Sequence, residues 1–301
     1  MKIRILGVPL DLGQERRGVD MGPSAVRAAS LNGAIHALGH TIEDSGNIHV
    51  RIPEEQHFGE KRAKYLKEII ETCRRVAEHV RKALADGFFP LTLGGDHSIA
   101  IGTIAGISKF FRDRSESVGL IWIDAHGDMN TPETSPSGNI HGMPFAASLG
   151  LGAEELTHIE DFSPKVQAEK CVLIGVRDLD TREQRTIRKS GVHVFTMRDI
   201  DEQSMRGVME KSLALASRET AGFMVSLDMD AMDPSEAPGV GTPVPGGLTF
   251  REAHLALEMI ADSGKMLALD LVEVNPIIDL MNKTAILGVG LITSALGKKI
   301  L

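Results

Sequence analysis

Apolar and polar positions along the chain divide it into short hydrophobic runs and longer helical patterns that alternate from end to end. Continuous apolar runs predict strands at Ile3–Val8, Phe89–Leu93, Val118–Ile123, Cys171–Gly175, Val192–Thr196, Met224–Leu227 and Met266–Leu271, with a weaker one at Thr41–Ser45. Strands buried on both faces of a parallel sheet read this way, whereas a half-exposed antiparallel strand alternates. Between them, apolar residues recur at helical spacing. The clearest case runs over Glu60–Ala85, where Ala63, Leu66, Ile70, Cys73, Ala77, Val80 and Leu84 share a stripe. Further helices are predicted over Pro23–Leu38, Ser98–Phe111, Arg182–Lys189, Met205–Arg218, Thr249–Ala261 and Asn282–Gly297. Strand–helix alternation implies crossover connections and an α/β three-layer sandwich on a mostly parallel sheet. No linker, repeat or low-complexity tract interrupts it, so residues 1–301 read as one domain.

The ends of three of these strands carry the chemistry. One run leads into Asp124-Ala-His126-Gly-Asp128, where extended geometry would put all three polar side chains on one face. A second ends in Asp228-Met-Asp230, and a third in Gly94-Gly-Asp-His97-Ser98. Ligands in open α/β sheets gather beyond the carboxyl ends of strands. Asp96 or Ser98 alone reads equally well as a cap for the helix that follows. Pooled, His97, Asp124, His126, Asp128, Asp228 and Asp230 offer four carboxylates and two imidazoles. That set exceeds what one metal with an open position needs, and its formal charge balances two dications. Oxygen donors dominate and no thiolate is present, which favours Mn²⁺, with Fe²⁺, Co²⁺ or Ni²⁺ as substitutes. Two such ions share a water and lower its pKa enough to give hydroxide near neutral pH. The long connections Gly127–Gly142 and Ala231–Gly247 follow two of these strands and suit binding loops.

Bulk properties narrow the setting. The formal net charge of −8, with no basic stripe, argues against a nucleic-acid partner. No apolar run reaches membrane-spanning length, so no membrane partner is expected. The N-terminus enters a strand at once, leaving no stretch for a signal peptide. Cys73 and Cys171 read as buried free thiols, in keeping with a cytoplasmic location. His36, His40, His79 and His254 fall in helical patterns and read as surface or packing residues.

Longer segments around these motifs resemble the arginase family of ureohydrolases. They are Gly94-Gly-Asp-His-Ser-Ile99, Asp124-Ala-His-Gly-Asp128, Ser226-Leu-Asp-Met-Asp-Ala-Met-Asp-Pro234, and the stretch Asn130–Gly142 with its Ser-Gly-Asn-Ile-His-Gly. Gly7–Gly13, Arg17–Pro23, Gly241–Pro243, Gly246–Glu252 and Val272–Pro276 extend the likeness over nearly the whole chain. The resemblance implies an eight-stranded parallel sheet, a binuclear manganese centre held by the same six residues, and hydrolysis of L-arginine to L-ornithine and urea. It implies that Asp128 moves the nucleophile's proton to the departing amine, that His141 shuttles protons to solvent, and that Glu273 faces the substrate guanidinium. It assigns Asn130, Ser135, Ser137 and Asn139 to the α-carboxylate, Asp180 and Glu183 to the α-amino group, and Thr242 to a place near the guanidinium. On residues alone, Asp180 and Glu183 read also as an ordinary acidic helix start. Homotrimers or homohexamers are implied, and the short ending Gly297-Lys-Lys-Ile-Leu301 resembles bacterial members. The chain departs from the family pattern at Ser135, at Ala231 and Met232, and at Pro245, none of which removes a ligand. The readings that compete with an arginase are another ureohydrolase, such as an agmatinase or guanidinobutyrase, and a catalytically silent metal-binding member of the fold.

Overall fold

The computed structural model describes Met1–Lys299; the bacterial-type ending therefore lies partly outside the described residues. Eight strands form a single sheet: β1 (Lys2–Val8), β2 (Thr41–Asn47), β3 (Phe89–Gly94), β4 (Gly119–Ile123), β5 (Cys171–Val176), β6 (His193–Thr196), β7 (Phe223–Asp228) and β8 (Met266–Val272). Their order is β2-β1-β3-β8-β7-β4-β5-β6, and every pair is parallel. The helices are α1 (Gly22–Ala28), α2 (Leu31–Ala37), α3 (Leu66–Ala85), α4 (Ala100–Arg112), α5 (Pro144–Ser148), α6 (Glu154–Thr157), α7 (Thr181–Ser190), α8 (Met197–Ser217), α9 (Phe250–Ser263) and α10 (Lys283–Ala295).

Two hydrophobic cores flank the sheet, because successive strand side chains point to opposite faces. In β4, Ile121 and Ile123 join the core under α1, α2, α8, α9 and α10, while Leu120 and Trp122 join the one under α3, α4 and α5. This is the three-layer α/β/α architecture expected. The polar edge strand β2 was the weakest sequence signal, since an edge is kept soluble by charge rather than by apolar residues. Arg27 of α1 fastens it through Asp44 at 2.8 and 2.9 Å.

Three helix boundaries differ from expectation, each at a non-glycine residue in the left-handed region. Ser30 (φ 67°) splits the single helix expected over Pro23–Leu38 into α1 and α2. Ser204 (φ 64°) kinks α8, which starts at Met197 rather than Met205 because Thr196 and Asp199 form a capping box. Tyr65 (φ 54°) delays α3 to Leu66. The preceding turn is used instead to bind a loop: the Lys64 amide donates to the Gly138 carbonyl at 3.0 Å. The buried face of α3 is also rotated from the expected stripe, centring on Ile69, Cys73, Val76 and Val80. His40 lies between α2 and β2, outside any helix. Cys73 and Cys171 are free and buried. Among the described residues, no helix is long and apolar enough to cross a membrane.

Candidate active site

The segments after β4, β5 and β7 line one acidic cavity, with the ends of β3 and β8 beside them in the sheet. Its volume is about 220 Å³, and its wall includes His126, Asp128, Asn130, His141, Asp180, Glu183, Asp228, Asp230 and Thr242.

Beyond β4 the backbone does not stay extended. The strand ends at Ile123, and the Asp124 carboxylate accepts the His126 amide at 2.7 Å, turning the chain over. Asp128 sits at φ 50°, a strained value for a non-glycine residue and one met often at functional sites. Convergence of Asp124, His126 and Asp128 thus comes from a fold-back rather than from strand alternation. After β7, Asp228 caps a short turn by accepting the Asp230 amide at 2.7 Å, which brings the second pair of acids inward. After β3, Asp96 performs the capping that its sequence allowed, accepting from Ser98 and Gly13, and leaves His97 directed into the site.

Two groups of potential metal ligands result: His97, Asp124 and Asp228, and Asp124, His126 and Asp230. Asp124 belongs to both. Its Oδ2 lies 3.2 Å from His97 Nδ1 and its Oδ1 lies 3.5 Å from His126 Nδ1. His97 Nδ1 also lies 3.2 Å from Asp128 and 3.0 Å from Asp228, and His126 Nδ1 lies 3.0 Å from Asp230. Four carboxylates and two imidazoles therefore occupy one small volume.

Their electrostatics demand cations. Burial, reinforced by the neighbouring Asp124 charge, pushes the carboxyl of Asp128 well above its usual range. Burial and the Asp230 charge do the same to Asp228, and Asp230 is raised by burial and Asp124. Burial opposes charge on His97 and His126, but the surrounding acids outweigh it and raise both. Asp124 is held low against its burial by the two imidazoles beside it. Without another positive charge, protons must fill this role.

The donor geometry fits a metal pair. His97 Nδ1 is buried and makes no hydrogen bond of good geometry, although three acid oxygens surround it. Its other nitrogen is fixed by Ser226 Oγ at 2.8 Å, and its ring stacks on Trp122 with centroids 4.1 Å apart. Trp122 in turn donates to Asp124 Oδ2 at 2.9 Å. Metal-ligating imidazoles are characteristically held this way at the far nitrogen.

Glu273 follows β8 at φ 65°, buried. Its carboxylate is nevertheless paired: Oε1 accepts the His97 amide at 3.0 Å and Oε2 accepts from Gln14 at 3.0 Å. Oε1 also lies 3.1 Å from His141 Nδ1. Burial opposes charge on His141, yet the bond to Glu273 prevails and raises its pKa.

On the opposite wall, Asp180 caps α7 by accepting the Arg182 and Glu183 amides, and also accepts from Asn130 Nδ2 at 2.8 Å. The capping and site readings of Asp180 are thus compatible. Asn130 Oδ1 is left buried without a partner. Glu183 accepts the Met129 amide at 3.0 Å, and burial, with the Asp180 charge, pushes its carboxyl up to about 7. Thr242 donates to Asp230 at 2.9 Å.

Three residues expected to bind substrate do not line this cavity. Ser135 Oγ accepts the Gly138 amide at 2.9 Å, Ser137 Oγ accepts the Asn139 amide at 3.1 Å, and Asn139 Oδ1 accepts from Lys64 at 3.1 Å. Ser137 borders a neighbouring groove with Asp11, Gln14, Arg17 and Lys64. Conversely, Gln14, Trp122 and Asp178 support or line the site without having been singled out in the sequence. Asp178 had a signal, since it stands at the alternate position before Asp180. Gln14 and Trp122 had none, being an amide in a loop and an apolar strand residue.

Comparison with known proteins agrees with this architecture. The family model described as "Arginase family" matches residues 1–297. The arginase of Bacillus caldovelox is 52% identical over 300 residues, covering 99% of both chains, and that of Brevibacillus brevis is 51% identical over 298 residues, covering 99% of this chain and 98% of the other. The native structure of the Bacillus caldovelox arginase at pH 5.6 superposes with a TM-score of 0.95 at 51% identity, covering 99% of each chain. With this match over nearly its full length, the chain belongs to the arginase family, whose members depend on a binuclear metal centre.

Proposed function

We propose that this protein hydrolyses L-arginine to L-ornithine and urea, using two Mn²⁺ ions held by His97, Asp124, Asp128, Asp228, His126 and Asp230. The observation that carries the reading is Asp124, which presents one carboxylate oxygen to each imidazole-centred group in a family known for paired metals. Oxygen-rich donors without thiolate favour manganese among divalent ions. Two dications held by these residues would supply water acidified enough to serve as the nucleophile near neutral pH.

The chain's own residues then account for the rest. A guanidinium resists attack because of its resonance, so it must be held and its leaving nitrogen protonated. Asp128, within 3.2 Å of His97 and lining the cavity, takes the proton released as the new C–O bond forms. It passes that proton to the departing side-chain nitrogen as the C–N bond breaks, giving ornithine's amine and urea. His141, with Nδ1 against Glu273, carries the next proton between the cavity and solvent. Glu273 provides negative charge at the guanidinium end, held in place by Gln14 and the His97 amide.

Asp180 and Glu183 suit an ammonium group; Asn130, expected at the α-carboxylate, commits its Nδ2 to Asp180 and offers an unpartnered Oδ1, an acceptor that suits the ammonium instead. Ser135 and Ser137 accept backbone amides, which leaves each hydroxyl proton free to donate to the α-carboxylate; Asn139 Nδ2 is a further donor. Thr242 steadies Asp230 beside the guanidinium. The buried free thiols support a cytoplasmic setting. Exposed Ile277, Leu280 and Met281 support assembly into a homotrimer or homohexamer, which light scattering would measure.

Urea release from L-arginine and agmatine, measured in parallel on Mn²⁺-loaded protein, tests the assignment. Faster turnover of agmatine, which lacks the α-carboxylate, would favour an agmatinase instead. A metal-loaded sample inert toward every guanidine compound would favour a silent member of the fold.

A further inference from the structure

We propose that Arg177 is a positioning residue that sets the affinity of one of the two metal subsites, the one built on His126 and Asp230. The inference rests on the two-metal reading above. Arg177 follows β5 and is half-buried. Its guanidinium donates only to main-chain carbonyls: Val244 at 3.1 Å from Nε and 2.8 Å from Nη2, Gly175 at 3.3 Å and Ala231 at 3.1 Å from Nη1, and Asp230 at 2.8 Å and Met232 at 3.1 Å from Nη2. Its own amide donates to the Ala125 carbonyl at 2.9 Å, between Asp124 and His126. The side chain therefore joins the end of β5, the turn after β7 and the Val244 segment, while the main-chain amide of the same residue ties in the turn after β4. That segment begins at Thr242, whose hydroxyl holds the Asp230 carboxylate at 2.9 Å.

Asp230 is thus fixed twice, at its carbonyl by Arg177 and at its carboxylate by Thr242. Arg177 makes no hydrogen bond to His97 or Asp228; His97 is held by Ser226, and Trp122 holds the shared Asp124. Space is reserved for the clamp as well. A Cβ added at Gly247 would lie 2.5 Å from Arg177 Nη2. A planar fork with five N–H donors can serve several carbonyls at once, whereas a lysine ammonium has three donors on one centre and cannot span them.

The test is titration of metal-free protein with Mn²⁺ by equilibrium dialysis, with a thermal melt of the same metal-free samples. Wild type should take two ions. Arg177→Ala should weaken one of them by about 10–100-fold while leaving the other within about 3-fold, the range for loss of a group that orients a metal ligand. Arg177→Lys should recover only part of the loss. In a His126→Asn background, Arg177→Ala should add little, because both changes act on the same subsite. Equal weakening of both ions, unchanged binding of both, or full recovery by lysine would overturn the proposal. If the alanine variant does not fold, Arg177→Gln is read by the same criteria. A wild-type chain that takes fewer than two ions would instead overturn the two-metal reading, and this inference with it.

Discussion

At the scale of the residue, the site is a study in groups whose ordinary protonation is displaced. Asp128 is the sharpest case, since it lines the cavity, faces His97 at 3.2 Å and adopts a left-handed backbone. Asp128→Asn keeps the shape and removes the proton acceptor. Turnover should fall by about 10²–10⁴, the span for loss of acid–base catalysis, with a far smaller change in KM. Steady-state urea release on samples of measured metal content checks this, and a wild-type rate with intact metal would refute the role. Glu183 gives a pH prediction. Its carboxyl is pushed up to about 7 from an ordinary 4.5, so between those values the folded chain holds a proton that the unfolded chain has released. Stability from this group is therefore full below the ordinary value and is lost as pH rises through about 7. Substrate binding runs the opposite way, because an ammonium needs the ionised carboxylate. Glu183→Gln, which cannot ionise, should raise KM for arginine. A Gln variant with the wild-type KM would exclude Glu183 from ammonium binding.

At the scale of the element, close packing of α3 on α4 decides a sign. A Cβ at Gly106 would lie 2.5 Å from the Ala77 carbonyl oxygen, whereas one at Gly33 in α2 would meet nothing within 4 Å. Gly→Ala inside a helix ordinarily stabilises by up to about 1 kcal/mol. Gly33→Ala should follow that rule, while Gly106→Ala should destabilise by about 1–3 kcal/mol through overpacking. Thermal melts of the pair settle it, and a stabilised Gly106→Ala would mean that the helices part without cost. Elements were the most legible feature of the sequence. The parallel sheet showed itself because strands such as Leu120–Ile123 and Cys171–Val176 are apolar on both faces, and strand-end acids marked where the site would form. What stayed hidden was decided by tertiary contacts. The breaks at Ser30, Tyr65 and Ser204 place ordinary residues at positive φ, which no local pattern announces. The fold-back at Asp124–Asp128 depends on a side-chain-to-backbone hydrogen bond, and the reach of Gln14 to Glu273 joins positions 259 residues apart.

At the scale of the whole molecule, folding must bring six titratable groups from three strand ends into one small volume, and a metal pair changes the energetics of that step. In the metal-free chain, Asp128, Asp228 and Asp230 are raised above the usual carboxylate range, and His97 and His126 above the usual imidazole value. Each raised group holds a proton more tightly folded than unfolded, so the chelated protein loses stability as pH climbs through these values. Dications displace the same protons and bind more tightly as pH rises. A ligand at about 1,000 times its Kd stabilises the fold by about 4 kcal/mol per site. For a chain of this size each kcal/mol moves Tm by about 1.5 °C, so chelation of two sites should lower Tm by about 10 °C or more and abolish urea release. Restored Mn²⁺ should recover both. Because every term has the same sign, the gap in Tm between loaded and chelated protein should widen from pH 6 to pH 8. Differential scanning calorimetry at the two pH values, with metal content measured on each sample, reads this gap directly. A gap that narrowed over that interval would mean that the acids do not carry the protons that the paired ions replace.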